Sequence, residues 1–483
     1  MTEIRFGTDG WRGIIAQDVT FDQVRQVARA IARRVRAECG DRLLLVGYDT
    51  RFLSDKFARV AAEAIASEGL PVALAQAFAP TPAFSYAVVH RRAAGAIVIT
   101  ASHNPPEYSG VKFKASFGGS APVSFTQGVE AEIERLRAES RILSAERRVP
   151  SAECRLTDIE RFDARTPWLD RLESLVDLDP IGRSGIRVVL DVMYGAGQGL
   201  LAERLRRAGC QVREIHAELN PYFGGFHPEP IPANMAPAQA AVTGWDGLGV
   251  RVGFAFDGDS DRIAPIDEDG QIVTPHQVLA LLVRHLVRNR TERGVIVKSF
   301  NIGRMVDLEA AALDLPLVVT PIGFKFIAAA MQENQALVGG EESGGFAIRG
   351  HIPERDAGLV ALLLLQCMAM TGKSLATLVR DMEEDYGPHR YGRVDLRLAS
   401  LAERDRVVAE IAKDPPAYIA GQAVCRVDSL DGVKLVRTDE SWIMLRASGT
   451  EPLLRVYAEA PHEQDVRGLL DWGQHAATKE PMR

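Results

Sequence analysis

Apolar residues recur along this chain with two alternating periods. From Phe21 to Glu38 they fall at Val24, Val27, Ala28, Ile31 and Val35, the spacing of an amphipathic helix with arginines on its other face. Arg42-Leu-Leu-Leu-Val-Gly-Tyr48 is a short continuous apolar run and predicts a buried strand. A second helix is expected over residues 54–67, stopped by Gly69, followed by strands over 71–75 and over Gly95–Thr100. Strand–helix alternation in units of ~30 residues predicts a mainly parallel sheet with helices on both faces.

The pattern then repeats. Residues 125–155 turn charged and helical, which reads as a closing helix and a boundary. Ile186–Val192 starts a new strand, followed by the glycine-rich Tyr194–Gly199 and a helix through Arg207. That glycine run is not G-x-G-x-x-G, and a tight strand-to-helix turn accounts for it. Arg251–Phe256 is the next buried strand. A third unit comprises a strand over 294–298, a helix from Gly303, an apolar run over 315–325, another helix and the stretch 336–348. It closes on the apolar residues 357–370, read as a core helix. From Tyr391 onward, valine-rich pieces at 392–397, 423–427, 432–437 and 441–445 alternate with helices, suggesting a small α+β domain with an antiparallel sheet. The expectation is an α/β chain of four domains, 1–150, 151–271, 272–386 and 387–483.

Composition narrows the class of partner. With 483 residues, 46% hydrophobic and 25% charged, the chain is ordinary globular material and too long for one core. A net charge of −7 argues against nucleic acid or an anionic membrane as partner, while arginines gathered in one cleft still suit a phosphorylated small molecule. The most apolar run, Leu359–Leu365, falls far short of the ~20 residues that span a bilayer, and Met1–Phe6 carries no apolar signal core. The five cysteines Cys39, Cys154, Cys210, Cys367 and Cys425 show no CxxC spacing. A cytoplasmic protein with reduced, mostly buried thiols is expected.

Chemistry concentrates in the loops. Phe6–Gly13 packs three glycines and Arg12 into eight residues, a loop in which backbone N–H groups and a guanidinium approach an anion closely. After the strand at 95–100, Thr100-Ala-Ser-His-Asn-Pro-Pro106 breaks into a polar turn that displays Ser102, His103 and, further on, Lys112. A serine needs help to become a nucleophile, and His103 or Lys112 supplies it in this reading. Asp257-Gly-Asp-Ser-Asp-Arg262 sets three carboxylates at alternate positions, which repel one another unless a cation sits among them; hard oxygen donors suit Mg²⁺. Two rivals stand beside that reading. In a calcium loop, Glu268 would be the twelfth residue, but Arg262 takes the place of the required glycine and a strand precedes. In an aspartyl-phosphate site, Asp257 would itself carry the phosphoryl group. Further on, Glu341 and Ser343 lie between glycines, a composition suited to a sugar's hydroxyls. Arg446, Ser448, Gly449, Thr450 and Arg455 form a short run suited to phosphate.

Taken together, Gly7–Gly13, Thr100–Pro106, Asp257–Arg262, Gly340-Glu-Glu-Ser-Gly344 and Arg446-Ala-Ser-Gly-Thr450 resemble, in family order, the motifs of the α-D-phosphohexomutase superfamily of phosphoglucomutases and phosphomannomutases. The resemblance implies four domains around a central cleft, three of them sharing one α/β topology. It implies a phosphoryl shift between C1 and C6 of a hexose phosphate through a phosphoserine at Ser102, with Arg12, His103 and Lys112 assisting. Mg²⁺ would be held by Ser102, Asp257, Asp259 and Asp261. Glucose 1,6-bisphosphate would serve as activator and intermediate. Arg262, Lys298, Gly323, Lys325, Glu341, Ser343, His351, Arg446, Ser448, Gly449, Thr450 and Arg455 are the implied substrate contacts. A monomer or homodimer is expected.

Many members read Gly-Glu-x-Ser-Gly-His where this chain has Gly345. Gly323-Phe-Lys-Phe326 and His351-Ile-Pro-Glu-Arg-Asp356 resemble the glucomutase branch. On that basis glucose phosphate is the expected substrate, ahead of mannose and then glucosamine phosphate. The alternatives are a phosphomannomutase, a phosphoglucosamine mutase, or a sugar-phosphate or Ca²⁺ binding protein without turnover.

Overall fold

The computed structural model describes residues 4–7, 9–145, 159–247, 249–449 and 451–478. Three sheets repeat one plan. In the first, Gly95–Ile99 rises beside the parallel strands Leu44–Tyr48 and Val72–Ala75, and Tyr108–Ala115 returns antiparallel along it. In the second, Arg251–Phe256 rises beside Arg187–Asp191 and Gln211–Ile215, and Ile263–Ile266 returns. In the third, Val338–Gly340 rises beside Ile296–Ser299 and Leu317–Thr320, and Phe346–Ile348 returns. Each polar run picked out above in these sheets is thus the loop of one equivalent hairpin. The fourth sheet is wholly antiparallel, and its run at 448–452 joins the paired strands Trp442–Ala447 and Leu453–Ala460.

The first sheet also takes Trp11–Ile14 on one edge and the short strand Glu160–Phe162 on the other. The sheet therefore runs past residue 150, where the first domain was expected to end. The expected helix at 125–155 is present as Val123–Ala145, and its continuation lies outside the described residues.

Ala357–Thr371 is apolar all round, and a helix without a polar face has to be buried. It packs into an apolar cluster that also takes Phe84, Trp168, Leu190, Leu282 and Ile296, so the first three sheets share one continuous core. Among the described residues no single helix is long and apolar enough to cross a membrane. Cys210 and Cys367 are buried, Cys39 is half-buried and Cys425 is exposed; Cys154 lies outside the described residues.

The fourth domain has a core of its own and meets the third through Phe300, Val436, Trp442, Met444 and Tyr457. Lys434 is buried in that interface, 3.8 Å from the Trp442 ring centroid, and donates to the Phe300 carbonyl at 3.3 Å. Burial, with Lys298 nearby, pulls its ammonium down to about 7, against the pull of Glu459 and Asp307; His276 and His389 also face Glu459. Below pH 7 the folded and unfolded chains both hold the proton, and folding bears the whole cost of burying it. Between 7 and 10.5 only the unfolded chain keeps it, so rising pH stabilises the fold. The stability difference between Lys434→Met and the parent chain is therefore expected to narrow by roughly 2 kcal/mol from pH 7 to pH 9, read by thermal melting of both. A constant difference would show that Lys434 does not titrate there.

Candidate active site

Ser102 sits one turn beyond the strand Gly95–Ile99 with φ of +53°, a conformation that costs a side-chain-bearing residue energy. Its N–H donates to Thr100 Oγ1 at 2.9 Å, and its hydroxyl donates to Asp257 Oδ2 at 2.8 Å across 155 residues of sequence. His103 Nδ1 lies 3.3 Å from the same hydroxyl. Burial, reinforced by Arg262 and Arg12, holds the His103 imidazole well below its ordinary pKa, and its Nε2 lies 3.8 Å from Glu229. Arg12 donates to the Asn104 side chain at 2.6 Å and so grips the serine loop.

The tri-aspartate run closes a hairpin between antiparallel strands, unlike a helix-flanked calcium loop. Asp257 Oδ1 accepts from the N–H groups of Asp261 and Arg262 at 3.0 and 3.1 Å, which turns its other oxygen toward Ser102. Asp259 Oδ2 accepts from Thr81 Oγ1 at 2.6 Å and from Lys112 at 2.8 Å, and Asp261 Oδ2 pairs with Lys112 at 3.1 Å and Arg355 at 2.8 Å. The remaining oxygens, Oδ1 of Asp259 and of Asp261, are buried without a hydrogen-bond donor. Ligand atoms of the three aspartates lie within 4.8 Å of one another. A hard divalent cation is the group that fits orphaned carboxylate oxygens at this spacing. Burial, then Asp261 and Asp259, raise the Asp257 carboxyl well above its usual range. Gly258 is required here, since a Cβ would stand 2.5 Å from the Ser102 carbonyl oxygen.

Strand periodicity puts Lys112 and Lys114 on the same face of Tyr108–Ala115. Lys112 is fully buried among Asp9, Asp259 and Asp261; burial alone would lower its pKa, but the three carboxylates hold it well above the usual value. Lys114 donates to Glu354 at 2.6 Å.

Arg355 ties the first three domains together. It pairs with Asp9 at 2.6 Å, Asp261 at 2.8 Å and Glu341 at 3.1 Å. Ser343 donates to the same Glu341 oxygen at 2.6 Å. The arginine also accounts for Gly345: a Cβ at that position would lie 2.2 Å from Arg355 Cδ, so the space a histidine would need is filled by the arginine stem.

In the fourth domain the strand register sets Arg446 opposite Arg455. Like charges in that relation repel, and an anion between them would remove the conflict. Arg446 pairs with Asp431 at 3.0 Å, which also accepts from the Ile322 N–H at 2.8 Å and so joins the arginine pair to the turn at Gly323. Lys325, just beyond, lines a small cavity with Gly7, Asp9 and Gly10. Ser448 is buried, its carbonyl accepting from Arg404; Gly449 follows it, and Thr450 lies outside the described residues.

Two expected contacts are not brought into this group. Lys298 is buried, its ammonium held by Asp307 at 2.6 Å and by the carbonyls of Ile302 and Gly303. His351 bonds Asp356 at 2.9 Å and stacks on Tyr86, with its side chain 1% exposed. Conversely, Asp9, Arg51, Thr81 and Arg355 touch the site closely and are not among the expected contacts; Asp9 and Arg355 had a local signal, lying within Gly7–Gly13 and His351–Asp356.

Models of the phosphoglucomutase/phosphomannomutase family match in four consecutive pieces: α/β/α domain I over residues 3–140, domain II over 166–270, domain III over 274–386 and the C-terminal domain over 396–471. The chain belongs to this family. It is therefore a phosphohexomutase-type isomerase with the superfamily's four-domain fold. A phosphoglucomutase/phosphomannomutase of Thermococcus kodakarensis is 29% identical, with 97% of each chain covered. A phosphoglucosamine mutase of Rubrobacter xylanophilus is 31% identical, covering 97% of this chain and 96% of that one. A solved structure from Thermus thermophilus, a phosphomannomutase by inference, is 36% identical with a TM-score of 0.85, covering 99% of this chain and 100% of that one. Of these three, one is named for glucosamine phosphate, one for mannose phosphate and one for both glucose and mannose phosphates.

Proposed function

We propose that the chain interconverts the 1- and 6-phosphates of a hexose through a phosphoserine at Ser102 and a hexose 1,6-bisphosphate, with mannose or glucosamine phosphate handled better than glucose phosphate. The observation that carries this reading is the Ser102 hydroxyl 2.8 Å from Asp257 in a hairpin with two orphaned carboxylate oxygens. Mg²⁺ held by Asp257, Asp259, Asp261 and the seryl oxygen would neutralise charge on the phosphoryl group. A neutral His103 beside the hydroxyl is suited to accept a proton, and a charged Lys112 to stabilise developing negative charge. Arg12 fixes the serine loop, and Arg262 lies beside it. Glu341 and Ser343 would take sugar hydroxyls, and Gly323 and Lys325 would add contacts to the same substrate. Arg446, Ser448, Gly449, Thr450 and Arg455 would hold the phosphate that is not transferred, an arrangement indifferent to which end of the bisphosphate enters.

The expectation of glucose rests on Gly323-Phe-Lys-Phe326 and His351-Ile-Pro-Glu-Arg-Asp356, beside the Gly345 that replaces a histidine. His351 is held by Asp356 and Tyr86, and the space beside Gly345 is taken by Arg355, which gives both positions a structural role and weakens them as signals for glucose; Gly323-Phe-Lys-Phe326 still points to it. The expected order of kcat/KM puts mannose and glucosamine 1-phosphates above glucose 1-phosphate, measured with Mg²⁺ and catalytic bisphosphate. Glucose 1-phosphate winning by about tenfold or more would overturn the preference.

A further inference from the structure

The serine loop, residues 102–108, makes few ladder bonds of its own, yet buried carbonyls need donors. One side chain supplies them. Arg51 donates through Nη2 to the carbonyls of Ser102 and Asn104, both at 2.6 Å, and through Nη1 to those of Pro105 and Tyr108, at 2.8 and 3.0 Å. Its guanidinium is fully buried, paired with Asp49 at 3.3 Å and stacked 4.9 Å from the ring centroid of Phe223 in the second domain. Arg51 reaches the loop because Leu44–Tyr48 and Gly95–Ile99 are adjacent parallel strands, so the residues after each emerge together.

The same segment also grips the metal hairpin. Thr50 donates to the Tyr194 carbonyl at 2.9 Å, and Ala196 N–H donates to the Gly258 carbonyl at 2.9 Å. Gly258 in turn presses against the Ser102 carbonyl. The contacts close a ring from Arg51 through Ser102 and Gly258 to the glycine-rich 194–199 turn and back to Thr50. That ring includes Ser102 and Gly258, the residue next to Asp257.

We infer that Arg51 is a positioning residue for phosphoryl transfer: it holds Ser102 in its left-handed conformation and in register with the aspartate hairpin, without touching substrate. The inference rests on the phosphoserine reading above. Arg187 provides a matched control, because it caps the carbonyls of Trp245, Asp246, Gly247 and Gly249 in the same way, far from Ser102 in sequence and, among the described residues, with no hydrogen bond to the serine loop or the aspartate hairpin.

The experiment compares Arg51→Ala and Arg187→Ala with the parent chain, and Arg51→Lys with Arg187→Lys if the alanine variants do not fold. Both substitutions are expected to lower the melting temperature. Only the Arg51 change should cut kcat, by about 100-fold with KM altered less than about threefold, since displacing a reacting group by an ångström has costs of this order. Added guanidinium ion should restore part of that loss in Arg51→Ala. Amide exchange over 102–108 should accelerate in the Arg51 variant and not in the Arg187 variant. Equal loss of kcat in both variants, or an Arg51 variant with near-parental kcat, would overturn the assignment. If the parent chain itself turns over no hexose phosphate, the mutase reading falls; amide exchange then decides the clamp, and unchanged exchange over 102–108 overturns it.

Discussion

Replacing Ser102 by alanine is expected to leave a folded protein that takes up no phosphoryl group and turns over hexose phosphate at least ~10³-fold more slowly, the scale on which loss of a covalent nucleophile is felt. The folded state should survive, because the hydroxyl makes one strong bond, to Asp257, whose other oxygen keeps the N–H groups of Asp261 and Arg262, so the loss is about 1–3 kcal/mol. Intact mass gives the direct reading: after incubation with hexose 1,6-bisphosphate the parent chain gains ~80 Da on some molecules and the variant gains none. The same variant separates three chemistries. An aspartyl-phosphate at Asp257 would still form in Ser102→Ala, as an adduct labile to hydroxylamine. A binding protein without turnover would bind sugar phosphate in both forms and lose no activity. The geometry favours the serine, since Asp257 already commits one oxygen to its own loop and aims the other at the Ser102 hydroxyl.

The parts of this site that were legible in the sequence are those whose chemistry is contiguous. The serine turn, the alternate aspartates, the Glu/Ser loop and the Arg/Ser run each occupy a few consecutive residues. Each also sits at a strand end, where apolar periodicity stops abruptly. What was not legible is held by pairs distant in sequence. Arg355 meets Asp9 across 346 residues, and Thr81 meets Asp259 across 178. Nothing local distinguishes Arg51 from the many arginines that serve as solvated surface. Lys298 and His351 show the converse: a motif matched at the right place does not say which way its side chain turns, and in this structure both are buried against protein partners. The edge strand Glu160–Phe162 escaped because three residues, two of them exposed, carry no period. Gly345 shows the gain from coordinates most plainly, as an absence in one motif became intelligible only once a side chain ten residues on was seen to fill the gap.

Asp257→Asn should make the metal-free protein more stable while costing at least ~10³-fold in turnover, an opposition typical of sites that store electrostatic strain. The asparagine oxygen can still accept from the N–H groups of Asp261 and Arg262, so the hairpin keeps its shape. What disappears is a buried charge that burial, Asp261 and Asp259 all oppose. With its folded pKa raised, this carboxyl penalises folding at every pH above its unfolded value, and the penalty is largest above the folded one, so neutralising it stabilises at pH 7. Divalent cation reverses the balance for the parent chain only. A ligand at a hundred times its Kd stabilises by about 2.7 kcal/mol, enough to read as a clear rise in melting temperature. Titrating Mg²⁺ against both proteins should therefore show a melting temperature that climbs for the parent chain and stays nearly flat for Asp257→Asn, the curves crossing as the site fills. Chelation should return the parent chain to its starting point and abolish its turnover. A variant that responds to Mg²⁺ as the parent chain does would show that Asp257 is no ligand. The Ser102–Asp257 bond would then have to be explained as a hydrogen bond alone, with Asp257 acting as the base that His103 is here taken to be.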